Sequence, residues 1–364
     1  MKLSVTKSAL LGGLQMVHNV VAPRTTLPIL SNALMVAEKN KLWLTTTDLD
    51  LTVHCCIEAD VQKTGSSTLP VRRLSGIVKE LSDAAIELDI DEKNVATISC
   101  GSSFFKLNGM SDQEFPPVSK ADGQYSYRVD QAVFKQMLKK CSYAASRDES
   151  RYVLNGVLLS FKNGKLTIVA TDGRRLALVE NEVEFPSEAE CDVILPAKAV
   201  AELEQILGDE GELKISAKDK QAIFEFKDVM VASKLIDGTY PNYKQVIPPQ
   251  CEERITLERE SLLNALRRVS LLATEKANAT RLTFTKNKLV ISMNAPDVGE
   301  ARESMPVKYS GKELSVAFNA EYMIDSLKTL TNDEIFLELT DDLSPGVIKC
   351  DIPFLYVLMP IKVS

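Results

Sequence analysis

The sequence holds only two histidines, His18 and His54, and one tryptophan in 364 residues. A histidine-based metal centre or catalytic triad would have to use one of those two. The seven cysteines are Cys55, Cys56, Cys100, Cys141, Cys191, Cys251 and Cys350, and no C-x-x-C occurs. An odd number without that spacing supports neither a disulfide framework nor a zinc knuckle. Cys55 and Cys56 are adjacent, so in a strand they point to opposite faces and are badly placed to share a metal. A reducing, cytoplasmic compartment suits this usage. No apolar run approaches the ~20 residues of a membrane span. P-loop, G-x-S-x-G and G-x-G-x-x-G strings are missing too. No metal, cofactor or catalytic residue is therefore expected. Positive charge is also short: Asp and Glu number 50, Lys and Arg 43, for a net charge of −7. Taken as a whole, that argues against a nucleic-acid binder, although net charge does not say where charges sit.

What the chain does have is a repeat. Ser4–Val17, Arg128–Cys141 and Thr256–Val269 each begin with a short β-prone piece and continue as an amphipathic helix. Leu10, Leu11 and Leu14 form the apolar face of the first. Val133, Phe134, Met137 and Leu138 form that of the second, and Leu262, Leu263, Leu266 and Val269 that of the third. These i, i+3, i+4, i+7 spacings are those of a helix packed on one side. Thr6, Asp130 and Glu258 stand at the starts, where a cap or an acidic residue is favoured. The recurrence also argues against reading the N-terminus as a signal peptide, as does Lys7 within its apolar stretch.

A second landmark recurs: Leu69-Pro70-Val71, Leu195-Pro196-Ala197 and Phe318-Asn319-Ala320 each lead into another helix. Residues 42–53, 165–179 and 287–294 read as strands, the second with a turn at Asp172-Gly173, as do 85–90, 213–217, 222–226 and 334–339. Val5 to Val129 and Asp48 to Asp172 are both 124 apart, and Pro196 to Asn319 is 123. Such a period is too long for a solenoid unit and reads as three copies of one domain. The Pro-rich stretches at 115–124 and 247–253 mark boundaries, giving domains 1–122, 123–249 and 250–364. Two helices against many strands make an α+β fold, with the helices on one face of antiparallel sheets. Open sheet edges can be satisfied by a second copy meeting head to tail, which closes a two-fold ring.

Several strings resemble the bacterial DNA polymerase III beta subunit, the sliding clamp family. They are Thr26–Leu30 (TLPIL), Arg151–Gly156 (RYVLNG), Ala170–Ala177 (ATDGRRLA), Asp237–Tyr243 (DGTYPNY) and Tyr356–Ile361 (YVLMPI). Their order and spacing span the whole chain. The resemblance implies three DNA-clamp domains and a homodimeric six-domain ring, helices lining its hole. It implies a non-catalytic processivity factor that encircles double-stranded DNA without regard to sequence. Implied partners are the polymerase III alpha subunit, the clamp loader delta subunit, translesion polymerases, mismatch repair proteins and ligase. The implied place is the cytoplasm, with the nucleoid.

The charges suit that expectation. The six helical segments carry about +4 and the rest about −11, so a sequence-independent phosphate attraction can sit on the helices alone. By resemblance the DNA contacts are Arg24, Arg72, Arg73, Lys198 and Tyr152. A partner-peptide cleft is implied at Leu154, Thr171, Gly173, Arg174, Arg175, Leu176, Pro241 and Val246. It continues through Asn319, Tyr322, Leu343, Pro345, Val357, Met359, Pro360 and Ile361. A flexible methionine among aliphatic residues makes an adaptable apolar surface. Arg174 stands where histidine is common, Gln245 where a basic residue is common and Pro345 where a small polar residue is usual, so peptide preference can differ. Val153 replaces a second tyrosine. The implied dimer contact joins Phe105 and Leu107 to Leu271 and Leu272. Two rival readings of the sequence remain. Asp48 and Asp50, on one face of a strand, could serve a hydrolase or a metal, though an exposed stripe is the plainer reading. A three-domain scaffold that collects peptides without DNA is the other.

Overall fold

The computed structural model describes residues 1–21, 27–117, 125–218, 220–275 and 277–362. Six α-helices lie among them: α1 (Lys7–Val17), α2 (Val71–Glu80), α3 (Gln131–Cys141), α4 (Ala197–Ile206), α5 (Arg259–Val269) and α6 (Ala320–Thr329). None is long and apolar enough to cross a membrane.

Local chemistry sets the helix starts. Thr6 accepts the Ala9 N–H, Asp130 accepts those of Ala132 and Val133, and Asn319 accepts that of Glu321. Each satisfies donors that the first helical turn leaves free. Glu258 instead bonds the Ser261 hydroxyl. Leu10 and Leu14 of α1 are buried, and so are all four expected residues of α5. Each such side chain contributes roughly 1.5–3 kcal/mol. In α3, Phe134, Met137 and Leu138 are buried but Val133 is exposed. The buried neighbour there is Gln131, which bonds Gly208 N and Glu210 O. In α1, Gly13 permits close approach: a Cβ would lie 2.9 Å from both Leu44 and Ile57.

Each repeat runs strand, helix, three strands, then the same series again, with one extra strand, Asp60–Lys63, in the first. Among the described residues all pairings are antiparallel, and they build four sheets of five, eight, eight and four strands. Four strands of the first repeat and four of the second form one eight-stranded sheet, joined where Leu51–Glu58 pairs with Val229–Lys234. Four of the second and four of the third form the other, joined where Arg175–Glu182 pairs with Phe354–Leu358. The five-stranded sheet belongs to the first repeat and the four-stranded sheet to the third.

The chain therefore divides into two compact units, residues 1–133 with 201–235 and residues 134–200 with 236–364. The middle repeat is shared because its two halves pair into different sheets. In the first unit α1 packs on Lys41–Thr47, on Leu51–Glu58 and against α2; in the second, α5 packs against α6.

One segment expected as a single strand is a hairpin: residues 42–53 turn at Asp48–Asp50. Residues 165–179 form a hairpin too, turning at Asp172–Arg174, where Asp172-Gly173 reads as a turn. The turn is local: Asp48 and Asp172 each bind two following backbone N–H groups, an Asx-type closure. Asp48 and Asp50 thus lie on no strand face, and Asp50 pairs with Lys234 at 2.8 Å. Cys55 and Cys56 do face opposite ways; burial, with Cys56 beside it, pushes the Cys55 thiol up to about 12.

Candidate functional site

The turn Thr171–Arg175 is the centre of the candidate cleft. Thr171 Oγ1 donates to Arg175 O at 2.6 Å and accepts the Gly173 N–H at 3.1 Å. Gly173 has φ 85°, and a Cβ there would meet Arg151 Nη1 at 2.9 Å. Glycine suits both demands. Arg151 Nη1 donates to Asp172 O at 3.2 Å, tying the 149–154 segment to the same turn.

Arg175 is a clamp between the second and third repeats. Its Nε meets Asp172 at 3.1 Å, Nη1 meets Asp325 of α6 at 2.8 Å and Nη2 donates to Tyr143 O at 2.6 Å. The guanidinium also lies 4.3 Å from the Tyr322 ring centre. Its side chain is 11% exposed. Burial works against the charge, but Tyr356, Asp325 and Asp172 outweigh it and hold the group ionised. A planar fork with two carboxylates and a ring face is an arginine arrangement that lysine could not copy.

The C-terminal strand completes this wall. Leu176 pairs with Val357, Tyr356 donates to Tyr322 O at 2.9 Å, and Met359 N donates to Arg174 O at 2.9 Å. Leu176, Val357 and Tyr240 are buried in one apolar cluster with Leu158, Val169 and Ile194, and Leu154 packs against it. Met359, Val246, Pro241, Arg174 and Gly173 are exposed around it. Leu343 and Ile361 line a separate pocket of about 440 Å³ with Ala317, Arg281 and Asp342. Ile361 is fixed there by its N–H to Ala317 O at 2.8 Å. Beside Arg175 runs a polar groove of about 850 Å³ that includes Arg147, Arg151, Arg174, Arg267, Tyr322 and Lys328.

The expected cleft residues thus play different parts. Leu154, Leu176 and Val357 form an apolar floor, and Met359 and Val246 offer surface. Thr171, Arg175 and Asn319 hold backbone and helix in place. Pro345, half-buried, precedes the Gly346 rung opposite Leu358, and Pro360 is half-buried after Met359. Sequence reasoning missed Tyr240, Tyr143 and Asp325. Tyr240 stood inside a matching string; Asp325, three residues after Tyr322, is an acid on a helix with apolar neighbours.

Of the expected DNA contacts, Arg24 lies outside the described residues. Arg72 and Arg73 are exposed on α2, and Arg72 Nη2 donates to Val21 O at 3.0 Å. Burial, helped by Arg72, lowers the pKa of His18. Lys198 is exposed on α4, and Tyr152 is exposed on the 149–154 segment. The helices α1–α6 carry twelve Lys and Arg against six Asp and Glu, a clearer excess than expected because Asp130 and Glu258 fall just outside them. Among the described residues, no three His, Cys, Asp or Glu are grouped to hold a metal ion.

Among the described residues, each of the two short sheets ends in an edge strand with no further partner. Ser103–Asn108 borders the five-stranded sheet, and Phe104, on the face opposite Phe105 and Leu107, is 60% exposed. Alternation in SFFKLN could have revealed Phe104. Gly299–Pro306 borders the four-stranded sheet. The short helical turn Ser270–Leu272 packs near that strand, with Leu271 81% exposed and Leu272 half-buried.

Family models for the DNA polymerase III beta subunit match residues 1–119 (N-terminal domain), 128–242 (central domain) and 244–362 (C-terminal domain). The beta sliding clamp of Chlamydia muridarum is 33% identical over 362 residues, covering 100% of this chain and 99% of that protein. That of Pseudomonas aeruginosa is 32% identical, covering both chains fully. Among solved structures, the Pseudomonas aeruginosa sliding clamp bound to griselimycin superposes with a TM-score of 0.95 at 32% identity. The Bartonella birtlesii clamp bound to griselimycin gives 0.95 at 33%, and both comparisons cover 100% of each chain.

Proposed function

Since the chain belongs to the DNA polymerase III beta subunit family and is a sliding clamp, we propose that two copies close head to tail around duplex DNA. The observation that carries this is the contrast between complete and incomplete sheets. Each eight-stranded sheet takes four strands from each of two repeats, whereas the first and third repeats keep short sheets with open edges. Pairing Ser103–Asn108 of one copy with Gly299–Pro306 of another would make a sheet that resembles the internal ones. It would also cover Phe104, Phe105 and Leu271, which are costly to leave in water. Applied twice about a two-fold axis, the pairing closes a ring of six domains, with boundaries at 1–122, 123–249 and 250–364.

The ring needs no catalytic step. Topology retains DNA, and weak phosphate contacts let it slide. Arg72, Arg73, Lys198 and Tyr152 supply those contacts, with Arg24. The cleft around Leu176, Val357 and Met359 receives short apolar peptides of polymerase III alpha, clamp loader delta, translesion polymerases, mismatch repair proteins and ligase, and it receives griselimycin. The place of action is the cytoplasm, on the nucleoid.

Sedimentation at micromolar concentration tests the ring: a dimer is expected, and monomer alone would sink it. Calorimetry with griselimycin tests the cleft. Met359→Glu is expected to weaken binding at least about tenfold, near 1.4 kcal/mol, and to leave the dimer intact. Unchanged affinity would refute the assignment.

A further inference from the structure

The hairpin that carries Gly173 and Arg174 has a twin in the other unit. Thr47–Leu51 and Thr171–Arg175 are 124 residues apart and are closed by the same bonds. Thr47 Oγ1 donates to Leu51 O at 3.1 Å, as Thr171 Oγ1 does to Arg175 O at 2.6 Å. Each threonine oxygen accepts a backbone N–H at 3.1 Å, from Leu49 and from Gly173. Asp48 and Asp172 each accept the next two N–H groups after the tip residue. Leu49 has φ 79° where Gly173 has 85°. The neighbouring strand repeats as well: Lys234 N donates to Asp50 O at 2.8 Å, and Met359 N to Arg174 O at 2.9 Å. Leu30, Leu34 and Phe115 pack together at the positions of Leu154, Leu158 and Tyr240.

The framework is the same, but the side chains at the tip are not. Leu49 replaces Gly173, Asp50 replaces Arg174 and Lys234 replaces Met359. Asp50 and Lys234 form an ion pair at 2.8 Å, their side chains 74% and 62% exposed. A pair so exposed stabilises the fold little. A leucine at positive φ is strained, and glycine would relieve it. Folding explains neither choice, whereas exclusion explains both. An apolar peptide would have to strip water from two charges and pass the isobutyl group of Leu49.

We infer that Leu49, Asp50 and Lys234 are specificity-determining residues that close this second cleft, so that each chain offers one peptide site and not two. The inference rests on the cleft reading above. It is tested by griselimycin calorimetry on the full chain. The wild-type protein is expected to take one equivalent per chain. The variant L49G/D50R/K234M, altered only at exposed side chains, is expected to take two. The second should bind at least tenfold more weakly, because Thr52 and Ala232 replace the apolar floor residues Leu176 and Val357. Adding M359E to that variant should leave only the new site. A stoichiometry of one in the triple variant, with its melting transition preserved, overturns the inference. The reverse change, G173L, should weaken the native site at least tenfold, and unchanged affinity overturns the inference by a second route. If M359E alone leaves wild-type affinity untouched, the cleft reading fails instead, and the inference falls with it.

Discussion

The two eight-stranded sheets and the two short sheets follow one strand plan, but they end differently. At the junction inside the first long sheet, Val53 lies opposite Val231 and both are fully buried. At the edge of the five-stranded sheet, Phe104, Phe105 and Lys106 all stand exposed. The difference shows that a repeat is not a closed structural unit. Each one supplies half a sheet at either end, and only the middle repeat finds both completions within the chain.

The largest expected effect lies at a completed junction. Val231→Asp places an unpaired carboxylate in a fully buried rung and should cost roughly 3–5 kcal/mol or more in urea unfolding. A loss under about 1 kcal/mol would show that the junction is not a core. Arg175→Ala strands Asp172 and Asp325 at the other junction and should cost roughly 3 kcal/mol. A double change of Arg175 and Asp325 that merely adds the two single losses would show that the clamp is not coupled. Phe105→Asp makes the opposite case at the open edge. It should shift stability by less than about 1 kcal/mol and convert the dimer to monomer in sedimentation. If it unfolds the chain, the edge is core after all. The smallest effect tests a local feature away from either junction: Asp130→Ala, which removes the α3 cap, should cost about 1 kcal/mol.

Much of this contrast could be read in the sequence. The 124-residue offset and the apolar helical spacings mark the repeat, and the order of five matching strings marks the family. The features that escaped depend on contacts far apart in the chain. Nothing in residues 165–179 alone says that Arg175 will meet Asp325, 150 positions away. The Asp172-Gly173 turn was legible from its residue types, but the turn at Asp48 was hidden because Asp48 and Leu49 continue an alternating pattern, while the bonds that bend the chain there are local and polar. The sharing of the middle repeat follows from pairing between strands of different repeats, which periodicity cannot show. Val133 continued the apolar pattern of α3, but Gln131 took the buried position through bonds to Gly208 and Glu210.

A sliding clamp holds DNA by enclosing it. The most direct measurement loads the protein, with its loader and ATP, onto a nicked circular plasmid and then cuts the circle once. Protein is expected to stay with the circle through gel filtration and to run off the linear product. Equal retention on both forms would contradict enclosure and indicate ordinary surface binding.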